Sequence, residues 1–305
     1  MAPMSRKIVP NLWFDRQAEE AASFYASLFP NSRVGEPVRA TKAGFEVHGL
    51  AEGTVMSIPF TLAGQDFAGI NGGPLFKFTP AVSFLIACED KEEVDALWDR
   101  LSAGGAALME LGEYPFSERY GWTTDRYGLS WQVMAARALP VRQKIVPTLM
   151  YAGAQAGRAE EAMRLYASVF ESSTVGDILR YGPGEEPDRA GTVKHGEFTL
   201  EGQAFAAMDS ARGRDFTFTE AVSFMRRCET QTEIDRFWAA LTAGGGQESM
   251  CGWLKDKYGV SWQIAPAGLD ALLRDPDTAR VERVTNAFLK MRKFDIAELE
   301  KAYRG

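Results

Sequence analysis

Short apolar runs alternate along the chain with longer stretches of helical periodicity. Lys7–Phe14 (KIVPNLWF) is an apolar run of strand length, and in Gln17–Phe29 the residues Ala18, Ala21, Tyr25 and Leu28 recur on one helical face. Pro30 and Asn31 end that helix, because a proline ring cannot continue it. Strand-like runs follow at Arg33–Ala40, Gly53–Leu62 and Gln65–Ile70, with Gly64 at a turn. A second cycle opens with a strand at Ala81–Ala87. The helix after it is capped by Asp90, with Glu93 at the capping-box spacing. Val94, Leu97, Trp98 and Leu101 form its buried stripe and Gly104-Gly105 its stop. Strands near Ala107–Leu111, Tyr120–Asp125 and Leu129–Met134 complete the cycle.

The whole pattern then recurs. KIVP stands at Lys7–Pro10 and again at Lys144–Pro147. FTPAVSF (Phe78–Phe84) matches FTEAVSF (Phe218–Phe224) at six of seven positions, and Glu93–Gly105 matches Glu233–Gly245 at seven of thirteen. GWTTDRYGLSWQ (Gly121–Gln132) matches GWLKDKYGVSWQ (Gly252–Gln263) at eight of twelve. The offset stays between 131 and 141, and its largest step is nine extra residues around Glu110–Tyr120 of the first copy. Collinear blocks with small loop insertions mark the duplication of one folding unit. The chain therefore reads as α+β, with four strand–helix–three-strand (βαβββ) modules in tandem. The expected domains are repeat 1 over residues 1–138, repeat 2 over 139–267 and a helical C-terminal tail over 268–305. In the tail, Asp275-Pro276 reads as a cap and first turn, Val281, Val284, Phe288 and Met291 as a stripe, and Asp295 with Glu298 as a second capping box.

Composition narrows the function without naming it. The 305 residues are 46% hydrophobic and 25% charged, inside the globular range. No apolar run approaches the ~18 residues that span a bilayer. Nor does the N-terminal stretch resemble an export signal. The net charge is −7, shared by both repeats, so the basic footprint that nucleic acid requires is absent. Three cysteines (Cys88, Cys228, Cys251) make no disulfide framework and suit a reducing cytoplasm. Two histidines exclude a histidine-rich metal site.

The segments WFD…AEEAASFYASLFPNS, NGGPLFKFTPAVSF, ACEDKEEVDALWDRLSAGG and CGWLKDKYGVSWQ resemble the vicinal oxygen chelate superfamily. Within it they are similar to the PhnB-like, or 3-demethylubiquinone methyltransferase-like, branch of the glyoxalase/bleomycin-resistance fold. The resemblance covers residues 7–135 and 144–267, and the tail is similar to that branch as well. NGGPLFKF survives only in repeat 1, whereas the GW block is fuller in repeat 2. The resemblance implies two curled mixed sheets with helices outside and concave cavities within, formed by pairing inside one chain or in a homodimer. Metal-using members carry His or Glu on the first, fifth and last strands. Those positions fall on Asn11, Ser83 and Gln132 in repeat 1 and on Thr148, Ser223 and Gln263 in repeat 2. All six are neutral and weak ligands, so no metal and no other cofactor is expected. A Rossmann-type methyltransferase needs a glycine-rich turn after its first strand, and Asp15-Arg16-Gln17 stands there instead.

The remaining candidates have structural alternatives. Gln132 and Gln263 follow Trp131 and Trp262 on a strand and so face the opposite way, toward a ligand or toward the backbone. Trp122 and Trp253 would line the cavity, while Trp98, Trp238, Trp131 and Trp262 belong to the core. His195, near Glu197, could serve as a general base, or simply face solvent. Arg226-Arg227 replaces Ile86-Ala87 and would make an ion pair or an anion contact in one half only. The expected function is metal-free binding of a small molecule, without nucleic-acid or membrane partners. The alternatives are a superfamily enzyme (lyase, isomerase, dioxygenase or methyltransferase) that uses non-metal residues, and a regulatory or interaction module.

Overall fold

A computed structural model describes residues 7–136, 143–212 and 216–305. The first module comprises β1 (Ile8–Phe14), α1 (Ala18–Ala26), β2 (Arg33–Val34), β3 (Val38–Arg39), the short α2 (Phe45–His48), β4 (Val55–Leu62) and β5 (Gln65–Asn71). The second comprises β6 (Val82–Cys88), α3 (Lys91–Ser102), β7 (Ala106–Tyr114), β8 (Ser117–Thr124) and β9 (Ser130–Ala135). The third comprises β10 (Ile145–Ala152), α4 (Ala159–Val169), β11 (Thr174–Arg180), β12 (Val193–Leu200) and β13 (Gln203–Ser210). The fourth comprises β14 (Val222–Cys228), α5 (Gln231–Thr242), β15 (Gln247–Glu248), β16 (Trp253–Lys255) and β17 (Ser261–Pro266). The tail adds α6 (Leu269–Leu273), α7 (Thr278–Phe288) and α8 (Ile296–Arg304). The protein is α+β with two mixed sheets and a helical tail.

The two sheets do not follow the two repeats. One sheet runs β15-β16-β17-β14-β1-β5-β4-β2, with β3 beside β4, and so joins the first module to the fourth. The other runs β11-β12-β13-β10-β6-β9-β8-β7 and joins the third to the second. The seams are antiparallel: Asn11 registers with Ser223 on β1–β14, and Thr148 with Ser83 on β10–β6. The compact units divide accordingly. Unit 1 holds residues 1–77 with 219–305, and unit 2 holds residues 78–218.

The recurring DxYGxSWQ segment is a folding device. Asp125 accepts hydrogen bonds from the backbone N–H groups of Tyr127 and Leu129 and from Trp131 Nε1 at 2.8 Å. Asp256 does the same for Tyr258, Val260 and Trp262 Nε1, the last at 3.0 Å. The carboxylate closes the turn and pins the indole of the next strand. Trp131 and Trp262 are fully buried, stacked obliquely on Phe84 and Phe224. Asp90 caps α3 by accepting from Glu93 N at 2.8 Å, and Thr230 caps α5 in the same way at 3.2 Å. The reciprocal glutamate bonds reach one residue further back, to the N–H of Glu89 and of Glu229.

Local expectations shift in three places. The strand expected over Arg33–Ala40 is broken into β2 and β3 by Gly35-Glu36-Pro37, since proline lacks the ladder donor. The nine extra residues of repeat 1 lengthen the β7–β8 hairpin, whereas β15 and β16 are only two and three residues long. The cap of α7 is Asp277, whose carboxylate accepts from the N–H groups of Ala279 and Arg280. Asp275 instead accepts from Asp277 N and from the Tyr303 hydroxyl.

The tail packs on unit 1, where that hairpin is short. The N–H groups of Cys251 and Gly252 donate to the carbonyls of Met291 and Arg292, both at 2.7 Å. Phe294 fills the space where a Cβ on Gly252 would sit, so glycine is required there for contact as well as for its positive φ of 78°. At one end of α7, Thr278 and Val281 share a cavity wall with Pro37–Thr41; at the other, the carbonyl of Phe288 meets the Cys251 thiol. A helix of 11 residues is about 16 Å long, whereas the six strand spacings from β3 to β16 would span roughly 29 Å if flat. One helix reaches both because the sheet curls.

Candidate functional site

Residues in register on adjacent strands project to the same face of a sheet. In unit 1, Asn11, Ser223 and Ser261 are in mutual register, and Gln263 registers with Met225 and Trp253. This is the face away from α5, since Phe224 and Arg226, on the other face, pack on Trp262 and on Phe237 of α5. In unit 2 the corresponding face gathers Thr148, Ser83, Ser130, Gln132 and Trp122. The six positions assigned by resemblance to metal ligands are thus regrouped across the repeats: Asn11 sits with Ser223 and Gln263, and Thr148 with Ser83 and Gln132.

Both sets are neutral and internally hydrogen-bonded. Gln263 Nε2 donates to Ser223 Oγ at 2.9 Å, and Asn11 Nδ2 donates to the carbonyl of Val9 at 3.1 Å. Gln132 Nε2 donates to Ser83 Oγ at 2.7 Å, and Thr148 Oγ1 donates to the carbonyl of Val146 at 3.3 Å. None offers a negative charge or an imidazole, so this donor set does not fit a divalent cation. Among the described residues, no group of three or more His, Cys, Asp or Glu side chains converges elsewhere either.

The two faces differ in what covers the polar floor. In unit 2 the Tyr120 hydroxyl donates to Gln132 Oε1 at 2.7 Å and Trp122 Nε1 donates to Ser130 Oγ at 2.7 Å. Tyr120, Trp122, Leu85, Met150 and Ala152 close over it as a buried apolar cluster, flanked by Met109, Tyr114, Met134 and Met208. In unit 1 the residue at the place of Tyr120 is Cys251, and Trp253 is only half-buried. Ser261 Oγ, at the place of Ser130, is buried with no hydrogen-bond partner among the described residues. A cavity of about 350 Å³ opens there, walled by Trp13, Phe76, Trp253, Met250 and Cys251 and edged by Glu220, Glu248 and Lys255.

The glycines of NGGPLFKF set the aromatic wall. A Cβ on Gly72 would lie 2.0 Å from the Trp13 indole, and the carbonyl of Gly73 accepts from Trp13 Nε1 at 2.8 Å. Trp13 packs edge-on against Phe76 at 4.9 Å and Trp253 at 6.0 Å between ring centroids. The charged rim is paired: Lys255 meets Glu220 at 2.8 Å, and Glu248 accepts from Trp238 Nε1 at 2.7 Å and approaches Arg292 at 3.8 Å. Burial alone pushes the Cys251 thiol up to about 11, so it is a wall group rather than a nucleophile at neutral pH.

The other candidates lie outside this cavity. His195 stands on β12 of unit 2, 3.8 Å from Glu197, with both side chains substantially exposed. The neighbouring His195 imidazole holds the Glu197 carboxyl below its ordinary range, against burial. Arg226 is buried, its guanidinium over the Phe237 ring and 3.2 Å from Glu233. Arg227 projects the other way and approaches Asp270 at 3.7 Å. Trp13, Phe76 and Ser261 are the site residues that sequence reasoning passed over. The two glycines after Asn71 were a signal for the first, since consecutive glycines permit close approach of a large ring.

Modules of this kind, paired into curled sheets, define the glyoxalase-like fold of the vicinal oxygen chelate superfamily. The sequence profile of the family described as 3-demethylubiquinone-9 3-methyltransferase matches residues 6–134 and again 143–265, and the chain belongs to that family. Among solved structures, a PhnB protein from Bacillus cereus is 43% identical over 43% of this chain and all of its own, with a TM-score of 0.40. Glyoxalase I from Zea mays is 11% identical over 86% of this chain and 92% of its own, with a TM-score of 0.51, a likeness of fold. No curated protein matches the chain.

Proposed function

We propose that the chain is a metal-independent small-molecule-binding protein whose ligand cavity lies in unit 1. The observation that carries this reading is the aromatic-walled cavity that reaches Ser261 of the polar face, built where unit 2 has a closed apolar cluster. Its volume and mixed lining suit a small ligand, since such sites are mostly apolar with a few placed polar groups. The neutral Asn11–Ser223–Gln263 set on the same face supports binding without a metal, and the acid–base pair His195 and Glu197 lies in unit 2, outside the cavity. Each sheet is completed by modules of this one chain, which favours a monomer.

A thermal-shift screen of small aromatic compounds tests it. A ligand at 100 times its dissociation constant adds about 2.7 kcal/mol. The stabilisation should vanish in Trp253→Ala and persist in Trp122→Ala, and Zn²⁺, Ni²⁺ or Mn²⁺ should add nothing. Stabilisation by one of these ions, lost in Gln263→Ala, would overturn the metal-independent reading. Ligand effects lost only in Trp122→Ala would place the site in unit 2.

A further inference from the structure

Resting on that reading, we infer the ligand's chemical class and its anchor: an uncharged, flat aromatic molecule bearing one hydroxyl or carbonyl oxygen, held by the Ser261 hydroxyl. Ser261 and Ser130 occupy the same place in the two units and differ only in what meets them. The Trp122 indole satisfies Ser130, while Ser261 Oγ is buried in the cavity wall and unpartnered among the described residues. A buried hydroxyl without a partner is a cost that a ligand oxygen or N–H can remove. The charges around the cavity argue for neutrality. Lys255 is paired with Glu220, and Glu248 is engaged by Trp238 and Arg292. An anion would enter beside two carboxylates and a cation beside an ammonium already in use, and an uncompensated charge is costly to bury. Trp13 stands edge-on to Phe76 and to Trp253, so the wall is an aromatic cluster against which a further flat ring packs favourably.

Four probes that share one ring system separate these terms by calorimetry at pH 7: 2-naphthol, naphthalene, 2-naphthoate and 2-naphthylmethylammonium. In the wild type, 2-naphthol should bind most tightly. Ser261→Ala should weaken 2-naphthol about tenfold, to the level of naphthalene, and leave naphthalene unchanged. Removing an unpartnered hydroxyl should leave the melting temperature of Ser261→Ala no lower than wild type. Ser130→Ala, which strips Trp122 of its acceptor, should melt lower yet bind 2-naphthol normally. Equal binding of 2-naphthol to wild type and Ser261→Ala would overturn the anchor, and tighter binding of either charged probe would overturn the neutral class. Both outcomes leave unit 1 standing as a binding cavity. Failure of all four probes to bind the wild type would instead remove the cavity reading, and this inference with it.

Discussion

Units 1 and 2 are built from equivalent modules and share a skeleton, yet their open faces have opposite characters. The aspartate that pins a tryptophan, the cap before α3 or α5 and the glutamine–serine bond recur nearly atom for atom. What changes is the layer above. A tyrosine and a tryptophan satisfy the floor of unit 2, while unit 1 has a cysteine, a turned-out tryptophan and an orphan serine. The helical side carries stability and tolerates little change. The open side differs through Cys251 at the place of Tyr120 and through the longer β7–β8 hairpin of unit 2. It is closed core in one unit and open cavity in the other.

The largest expected effect tests the shared skeleton. Trp131→Ala and Trp262→Ala should each cost about 3–5 kcal/mol in denaturant unfolding, because each removes a large buried indole and one of the donors to Asp125 or Asp256. Unequal costs would show that the skeletons are not equivalent. Next comes a place where the units differ beneath their helices. Glu233→Gln should cost about 3 kcal/mol by leaving the buried Arg226 without its carboxylate. Glu93→Gln, which parts a more exposed pair with Lys144, should cost under about 1 kcal/mol, and similar losses would erase the distinction. A smaller effect is expected from Tyr120→Phe, about 1–2 kcal/mol from the unmet Gln132 carbonyl, with no gain of ligand binding.

The subtlest difference depends on pH. Asn71 and Asp209 occupy equivalent positions, anchoring α1 and α4 through the N–H groups of Ala18 and Ala159. Burial pushes the Asp209 carboxyl above its ordinary value, against the backbone N–H donors of Val193, Ala159 and Gly157 that favour its charge. A raised carboxyl gives its full contribution below the ordinary aspartate value, about pH 4, and loses it as pH rises through the raised one. The stability of the wild type relative to Asp209→Asn, measured by unfolding from pH 4 to 7, should therefore fall as pH rises. An identical slope in both proteins would count against it.

Much of this was legible in the chain. The duplication, the four modules, the cap at Asp90 and the buried Trp131 and Trp262 follow from period, spacing and matched blocks, all local properties. The split of β2 from β3 turns on Pro37, and the cap at Asp277 on two neighbouring aspartates that compete for the same backbone donors. Arg226 offered an ion pair or an anion contact, and only Glu233 and the Phe237 ring decided between them.

By itself the amino-acid order determined two copies of one module pair and the residue types available to line a hollow. Tertiary structure decided which of those residues meet. NGGPLFKF is kept only in repeat 1 and CGWLKDKYGVSWQ most fully in repeat 2, as though each copy had lost half of a site. Because β1 pairs with β14 and β10 with β6, each sheet takes one module from each repeat, and both retained segments, Phe78 apart, fall in unit 1. Strand pairing across about 200 residues depends on which apolar faces bury each other, and local periodicity carries no record of it.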